Sequence, residues 1–313
     1  MNKMNILIIG AAGFIGTNLT INLAKNEDNH ITLVDEKLEF FKDISSMHLK
    51  NISIKEYSIN INTDFNVLLK NQDIIYHLMS TTIPGTSNQH ISQELMANVI
   101  TTSNLLEAAV NNNIKQVVYI SSGGSIYGKN VECPISESTE TYPISSYGLQ
   151  KVTIEKLLYL YDYIYNLDYR VIRLANPYGP YQRPNGILGA VTTFTYKAIK
   201  GEPIIVYGDG TIIRDFIFID DVVRAINNIV NTKQKYKIYN LGSGYGTSLK
   251  TVLSTIEKTL NITLNIEYKD ARKVDVPVNY LDISRYESVF GKLNPISLSE
   301  GIKRTAMFME KSK

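Results

Sequence analysis

The chain has 313 residues, 44% of them hydrophobic, enough to bury a sizeable core in one large domain or two closely joined ones. Lysine and arginine total 32 against 30 aspartates and glutamates, so no overall field favours nucleic acid or an anionic membrane, and any anion site has to be local. Cys133 is the only cysteine, which excludes an internal disulfide framework, and His30, His48, His77 and His90 lack metal-ligand spacing, so no metal is expected.

The chain opens on MNKMNILIIG, too short an apolar segment for a signal peptide, and no apolar run reaches about 18 residues, so a cytosolic protein without membrane segments is expected. NILIIG (5–10) reads as a buried strand stopped by glycine, FIGTNLTINLAKN (14–26) has helical spacing, and HITLVDE (30–36) is apolar again: a β-α-β unit. Its turn, GAAGFIG, supplies Gly10, Gly13 and Gly16. The first permits a tight turn, the second lets backbone approach a pyrophosphate, and the third lets helix and strand pack closely. Asp35 closes the second strand 19 residues beyond Gly16, where a carboxylate accepts both ribose hydroxyls of an adenosine and repels a 2′-phosphate, which favours NAD over NADP.

The alternation continues through DIIYHL (73–78), the helix ISQELMANVITTSNLLEAAVNN (91–112), QVVYIS (116–121), the helix YGLQKVTIEKLLYLYDYIYN (147–166) and YRVIRL (169–174). It predicts an α/β fold: a doubly wound parallel sheet with helices on both faces. SSGGSIYG (121–128) crowds hydroxyls and glycines at the end of one of these strands. Tyr147 and Lys151, four apart on a predicted helix, share a face, and an ammonium beside a phenol stabilises phenolate and prepares a general base. Tyr196 and Lys200 repeat the spacing, so the pair alone does not define a site. The tyrosines of LLYLYDYIYNL (157–167) suit either a subunit interface or ordinary packing. After NPYGP (176–180) the regularity breaks, with a helix near 187–200, PIIVYGDG (203–210), the helix IDDVVRAINNIV (219–230) and mixed elements to the end. The expected division is a cofactor domain over 1–175 joined again by 214–242, and a smaller α/β substrate domain from 176–213 and 243–313.

The combination resembles the extended short-chain dehydrogenase/reductase family, particularly its NAD-dependent nucleotide-sugar epimerases of the UDP-galactose 4-epimerase type. The matching pieces are GAAGFIG, DIIYHLMS, MANVITTSNLLEA, ISSGGSIYG, SSYGLQK, RLANPYGP, VYGDGTIIRDFIFIDD and ARKVDVP, which span nearly the whole chain. The resemblance implies a Rossmann domain with a smaller C-terminal substrate domain, a homodimer formed through a helix pair, NAD as cofactor and a UDP-sugar as substrate. It makes Tyr147 the catalytic base and Lys151 its partner and a ligand of the nicotinamide ribose. Gly10, Gly13, Phe14, Ile15, Gly16, Asp35, Leu78, Met79, Ser80, Asn98 and Ser121 would border the cofactor, and Asn60 stands where relatives often carry an acid near the adenine. Thr82, Asn176, Tyr207, Arg214, Arg272 and Asp275 would hold the nucleotide sugar, with Tyr207 stacked on the base and Arg214 on the pyrophosphate. Asn279 stands where some relatives carry a tyrosine, which leaves room for a larger C2 substituent.

Relatives usually place the serine or threonine that bonds the substrate hydroxyl four residues before the tyrosine of VYG, and here that position is Gly123. Ser125 and Ser122 are the replacements, Ser125 ranked first because glycines at 123 and 124 would open its path to the pocket. The expected activity is 4-epimerisation of a UDP-hexose through a 4-keto intermediate. The alternatives are a uronic acid epimerase, another nucleotide-sugar reductase or dehydratase, and a non-catalytic NAD sensor. Dehydratases place an Asp-Glu pair where Gly124 and Ser125 stand, so dehydration lacks its general acid.

Overall fold

A computed structural model describes residues 3–184, 189–232, 235–271 and 276–311. The predicted β1 (Met4–Ile9), α1 (Phe14–Leu23) and β2 (Asn29–Asp35) are present, followed by a 3-10 turn (Leu38–Phe41) with α2 (Lys42–Ser45), β3 (Ile52–Glu56) and α3 (Phe65–Leu69), which the sequence did not mark, and then by the predicted β4 (Ile74–His77). The next helix is interrupted. It runs as α4 (Ile91–Leu95), a π turn (Met96–Ile100) and α5 (Thr101–Asn111), then gives way to β5 (Gln116–Ser122), α6 (Ser146–Tyr165) and β6 (Asp168–Leu174). The second half has shorter pieces: β7 (Asn176–Tyr178), α7 (Ala190–Lys200), β8 (Ile204–Tyr207), β9 (Ile213–Arg214), β10 (Phe216–Phe218), α8 (Ile219–Val230), β11 (Ile238–Leu241), β12 (Thr247–Ser248), α9 (Leu249–Leu260), β13 (Ile266–Lys269), β14 (Val278–Asn279), α10 (Ser284–Phe290) and α11 (Leu298–Lys311).

Seven strands form one parallel sheet in the order β11-β6-β5-β4-β1-β2-β3. Its strands read as continuous apolar runs because both faces are covered. Alternation sorts them: Ile6, Ile8, Ile31, Leu33, Val118 and Ile120 pack with Leu19 of α1 and Val222 and Ile226 of α8. Leu7, Ile9, Val34, Ile75, Val117 and Tyr119 face the other way, onto Phe65 of α3, Leu105 of α5 and Ile154 and Leu158 of α6. The remaining strands pair as β10-β7, β12-β9-β14 and β13-β8. Strand order reverses between β1 and β4, and in such sheets ligands settle in the crevice at the carboxyl ends flanking that point. Among the described residues no helix is long and apolar enough to cross a membrane.

Candidate active site

The glycine turn closes as its spacing requires. Gly10 has φ +80°, and a Cβ there would lie 2.9 Å from the Met79 backbone nitrogen, so β1 and the segment after β4 approach closely only through glycine. A Cβ at Gly16 would lie 2.5 Å from the Ala11 carbonyl, which is why α1 can pack directly on the turn. No side chain caps α1, so its first N–H groups are free of a side-chain acceptor, the usual arrangement for an anion at a helix N-terminus. Asp35 ends β2 half-buried, its carboxylate accepting from the Ala12 and Glu36 amides, each at 2.9 Å. Each oxygen keeps a further lone pair, so a ribose diol can be accepted without dismantling the turn. Phe14 and Ile15 lie partly buried in the first turn of α1, and Asn60 holds an exposed turn beyond β3 by accepting from the Asn62 amide at 2.9 Å.

Asn98 lies in the π turn, a distortion that often marks functional sites. Its amide oxygen accepts from Thr81 N at 2.9 Å and its nitrogen donates to Thr81 Oγ at 2.8 Å, so it fixes the Leu78–Thr82 segment at the end of β4. Ser80 bonds the Thr82 carbonyl at 2.8 Å, and the buried Thr82 hydroxyl donates to Gln150 of α6 at 3.1 Å. His77, which the sequence marked only as no metal ligand, anchors the same turn. Thr102 Oγ donates to the Asn98 carbonyl at 2.6 Å and therefore accepts from His77 Nε2 at 2.8 Å. Burial holds His77 down to about 3, with Lys151 adding to the effect, so the imidazole is neutral.

The end of β5 and the start of α6 bring the reactive candidates together. Ser145 caps α6 by accepting from Gly148 N at 3.1 Å, and a Cβ at Gly148 would lie 2.2 Å from the Ser125 carbonyl, so the 123–128 turn rests against the helix. Lys151 is buried, its ammonium donating to the Ile120 carbonyl at 2.9 Å and lying 5.4 Å from the Tyr147 ring centroid. Burial pulls Lys151 down to about 8, while the Glu155 charge pushes it up. Burial pushes Tyr147 up to about 12, and a hydrogen bond with Ser122 works against that rise. Ser122, not Ser125, is thus the hydroxyl beside the phenol. Successive strand residues point to opposite faces, so Ser121, expected along the cofactor, instead donates to Glu155 at 2.5 Å. A Cβ at Gly123 would lie 2.5 Å from Leu281 Cδ1; Gly124 is exposed with open space beside it.

The expected nucleotide-sugar side chains lie on the short strands. Arg214 pairs in register with Asn279, and its Nη1 donates to the carbonyls of Ile213 at 2.8 Å and Val276 at 2.6 Å. Asn176 donates to the Asp215 carbonyl at 3.0 Å. Asp215, not singled out in the sequence, is fully buried; its carboxylate accepts from Ser243 N at 2.6 Å, Ser243 Oγ at 2.7 Å and Leu281 N at 3.2 Å. Burial raises its pKa above that of an ordinary aspartate, the same bonds opposing the rise. Asn279 is buried, with Nδ2 3.5 Å from the Gly123 carbonyl and Oδ1 without a partner among the described residues. Tyr207 ends β8, half-buried. Arg272 and Asp275 lie outside the described residues.

A family model described as the NAD dependent epimerase/dehydratase family matches residues 6–242. A UDP-glucose 4-epimerase of Mycolicibacterium smegmatis is 31% identical over 315 residues, covering 97% of this chain and 98% of that protein. The crystal structure of UDP-glucose 4-epimerase from Thermotoga maritima with UDP-glucose is similar at a TM-score of 0.88 and 32% identity, over 99% of each chain. That of UDP-glucuronic acid 4-epimerase from Bacillus cereus, in complex with UDP-glucuronic acid and NAD, is similar at 0.89 and 26%, over 99% of this chain and 100% of that one.

Proposed function

The chain belongs to the NAD-dependent epimerase/dehydratase family and its cofactor is NAD, and from that premise we propose that it interconverts the C4 epimers of a UDP-hexose through a 4-keto sugar. The observation that carries the reading is the phenol of Tyr147 set between Ser122 and the Lys151 ammonium at the carboxyl end of β5. NAD supplies a hydride acceptor at C4 whose reduced form returns the hydride, and its cationic ring adds to the field that favours phenolate. Tyr147 Oη takes the C4 hydroxyl proton, Ser122 bonds the same oxygen, and Lys151 stabilises the phenolate. Once the keto sugar has turned about its phosphate link, C4 offers its opposite face to the returning hydride and Tyr147 gives the proton back to the same oxygen. Elimination would need an acid at the substrate's leaving group, and Gly124 and Ser125 supply none.

Arg214, held by two backbone carbonyls, suits the pyrophosphate, Tyr207 the base and Asn176 the sugar. Arg272 and Asp275, in ARKVDVP, resemble the family's pair that holds phosphate and the uridine ribose. Residues 1–175 with 214–242 then serve the cofactor, and 176–213 with 243–313 the sugar nucleotide. Exposed Leu149, Tyr159, Leu160 and Tyr163 on α6, beside exposed Met96 and Ile100, support pairing with a second copy of the chain. The test is incubation of the NAD-loaded protein with UDP-glucose, UDP-galactose, their N-acetylhexosamine counterparts and UDP-glucuronic acid, with products read by NMR. Interconversion at C4 of a UDP-hexose is expected; turnover of the glucuronate alone would move the assignment to the uronic acid, and no epimerisation of any member would overturn it.

A further inference from the structure

Helix α6 meets β5 through three polar side chains spaced four residues apart. Tyr147 bonds Ser122, Lys151 bonds the Ile120 carbonyl, and Glu155 accepts from the Ser121 hydroxyl. That spacing puts all three on one helix face, so three turns of α6 are laced to three neighbouring residues at the end of one strand. Glu155 has no part in the chemistry described so far. It is 2% exposed and gripped by Arg173 of β6, with Nη2 at 2.7 Å from one carboxylate oxygen and Nε at 3.2 Å from both. Arg173 continues to the Tyr127 hydroxyl at 3.0 Å, and Tyr127 to Asn240 of β11 at 2.7 Å. A buried ion pair adds little stability over apolar side chains of the same volume, so its place directly behind the reacting pair calls for another reason.

Resting on the reading of Tyr147 and Lys151 as the reacting pair, we propose that Glu155 is a positioning residue of the reaction: it fixes the turn of α6 that presents both side chains to the end of β5, and sets a buried negative charge one helical turn from the Lys151 ammonium. The groups facing Lys151 are Tyr147 and Glu155 on its own helix, Tyr119 of β5 with its ring centroid at 4.8 Å, neutral His77 of β4, and Arg173 of β6 behind Glu155. Glu155 opposes the effect of burial and keeps the ammonium protonated; Arg173 offsets part of that charge.

The test reads kcat and KM across pH for the NAD-loaded enzyme on its best UDP-sugar, with Tyr147→Phe as the reference for the underlying reading. Glu155→Gln keeps the shape and removes the charge, so the ammonium loses its proton at lower pH. The alkaline limb of kcat is expected to move down by about one pH unit and kcat above neutrality to fall about tenfold, with KM within about threefold. Glu155→Asp keeps the charge on a shorter arm and is expected to restore the limb while leaving kcat reduced. Ser121→Ala removes one bond of the lacing and is expected to lower kcat about threefold with the limb in place. A wild-type limb in folded Glu155→Gln overturns the proposal. Where that variant fails to fold, judged by circular dichroism and NAD content, the other two decide: reduced kcat at constant KM supports the proposal, and unchanged kcat in both overturns it. Full turnover in Tyr147→Phe overturns the underlying reading, whereas its loss beside wild-type behaviour of Glu155→Gln overturns this inference alone.

Discussion

A hydroxyl that helps move a proton to Tyr147 has to reach the phenol oxygen, and at the end of β5 the one that bonds it is Ser122. Ser122 pairs in register with Leu174 as the last residue of β5, while Ser121, one residue earlier, is taken up by Glu155 of α6. Ser125 lies beyond the strand, in the turn whose carbonyl rests on Gly148. Ser122→Ala is therefore expected to lower turnover roughly 10²-fold, within the range of acid–base assistance, and Ser125→Ala by less than about threefold. Steady-state rates at full NAD content check the ranking; a larger loss in Ser125→Ala would reverse it. The sequence showed the cluster of hydroxyls but ranked Ser125 first, because where β5 ends is set by its pairing with β6 and not by its own residues. Gly123 was read as clearing a path to Ser125, yet the side chain nearest a Cβ there is Leu281, from far along the chain.

Helix α6 carries two faces in one tyrosine-rich run. Tyr161 is buried against the sheet's helices, whereas Tyr159, Leu160 and Tyr163 are exposed, the rings of Tyr159 and Tyr163 stacked at 6.4 Å. If a second copy covers that face, Leu160→Glu with Tyr163→Glu puts charge where water would be excluded, and the dimer dissociation constant should rise about 100-fold or more. Analytical ultracentrifugation of both forms decides it; a wild-type protein that is monomeric at micromolar concentration removes the interface. At this scale the elements named in the first half of the chain were legible to within three residues, whereas α2, β3 and α3 were not singled out. NILIIG, QVVYIS and YRVIRL became β1, β5 and β6, and the helix expected near 187–200 is seen over Ala190–Lys200. The π turn around Asn98 was not, since a helical period gives no sign of one extra residue in a turn. Nor were β9, β12 and β14, each two residues long, which exist only by virtue of partners distant in sequence.

The whole molecule contains 21 tyrosines and no tryptophan, and many of those tyrosines are interior. Burial pushes Tyr127, Tyr147 and Tyr169 up to about 12, and raises Tyr76, Tyr119 and Tyr178 as well. Unfolded phenols release their protons near pH 10, while these hold theirs in the native state. The stability they contribute is complete below about pH 10 and is lost as pH rises towards about 12. Alkaline titration should show exposed tyrosines ionising first, and the buried ones only together with the loss of ellipticity; buried phenols that ionise with the fold intact would contradict this. Strand β11 has a different consequence. It completes the sheet beside β6, through Val171 N to Lys237 O at 2.8 Å and Ala175 N to Leu241 O at 2.8 Å, yet it follows β6 by the whole length of α7, β8 and α8. During synthesis on a ribosome β6 is made long before its neighbour, and its open N–H and C=O groups form a template that any other extended chain can join. A nascent chain halted before residue 238 is therefore expected to seek strands from its neighbours, making release and chaperone timing, as much as the finished contacts, a condition for a good yield of this protein.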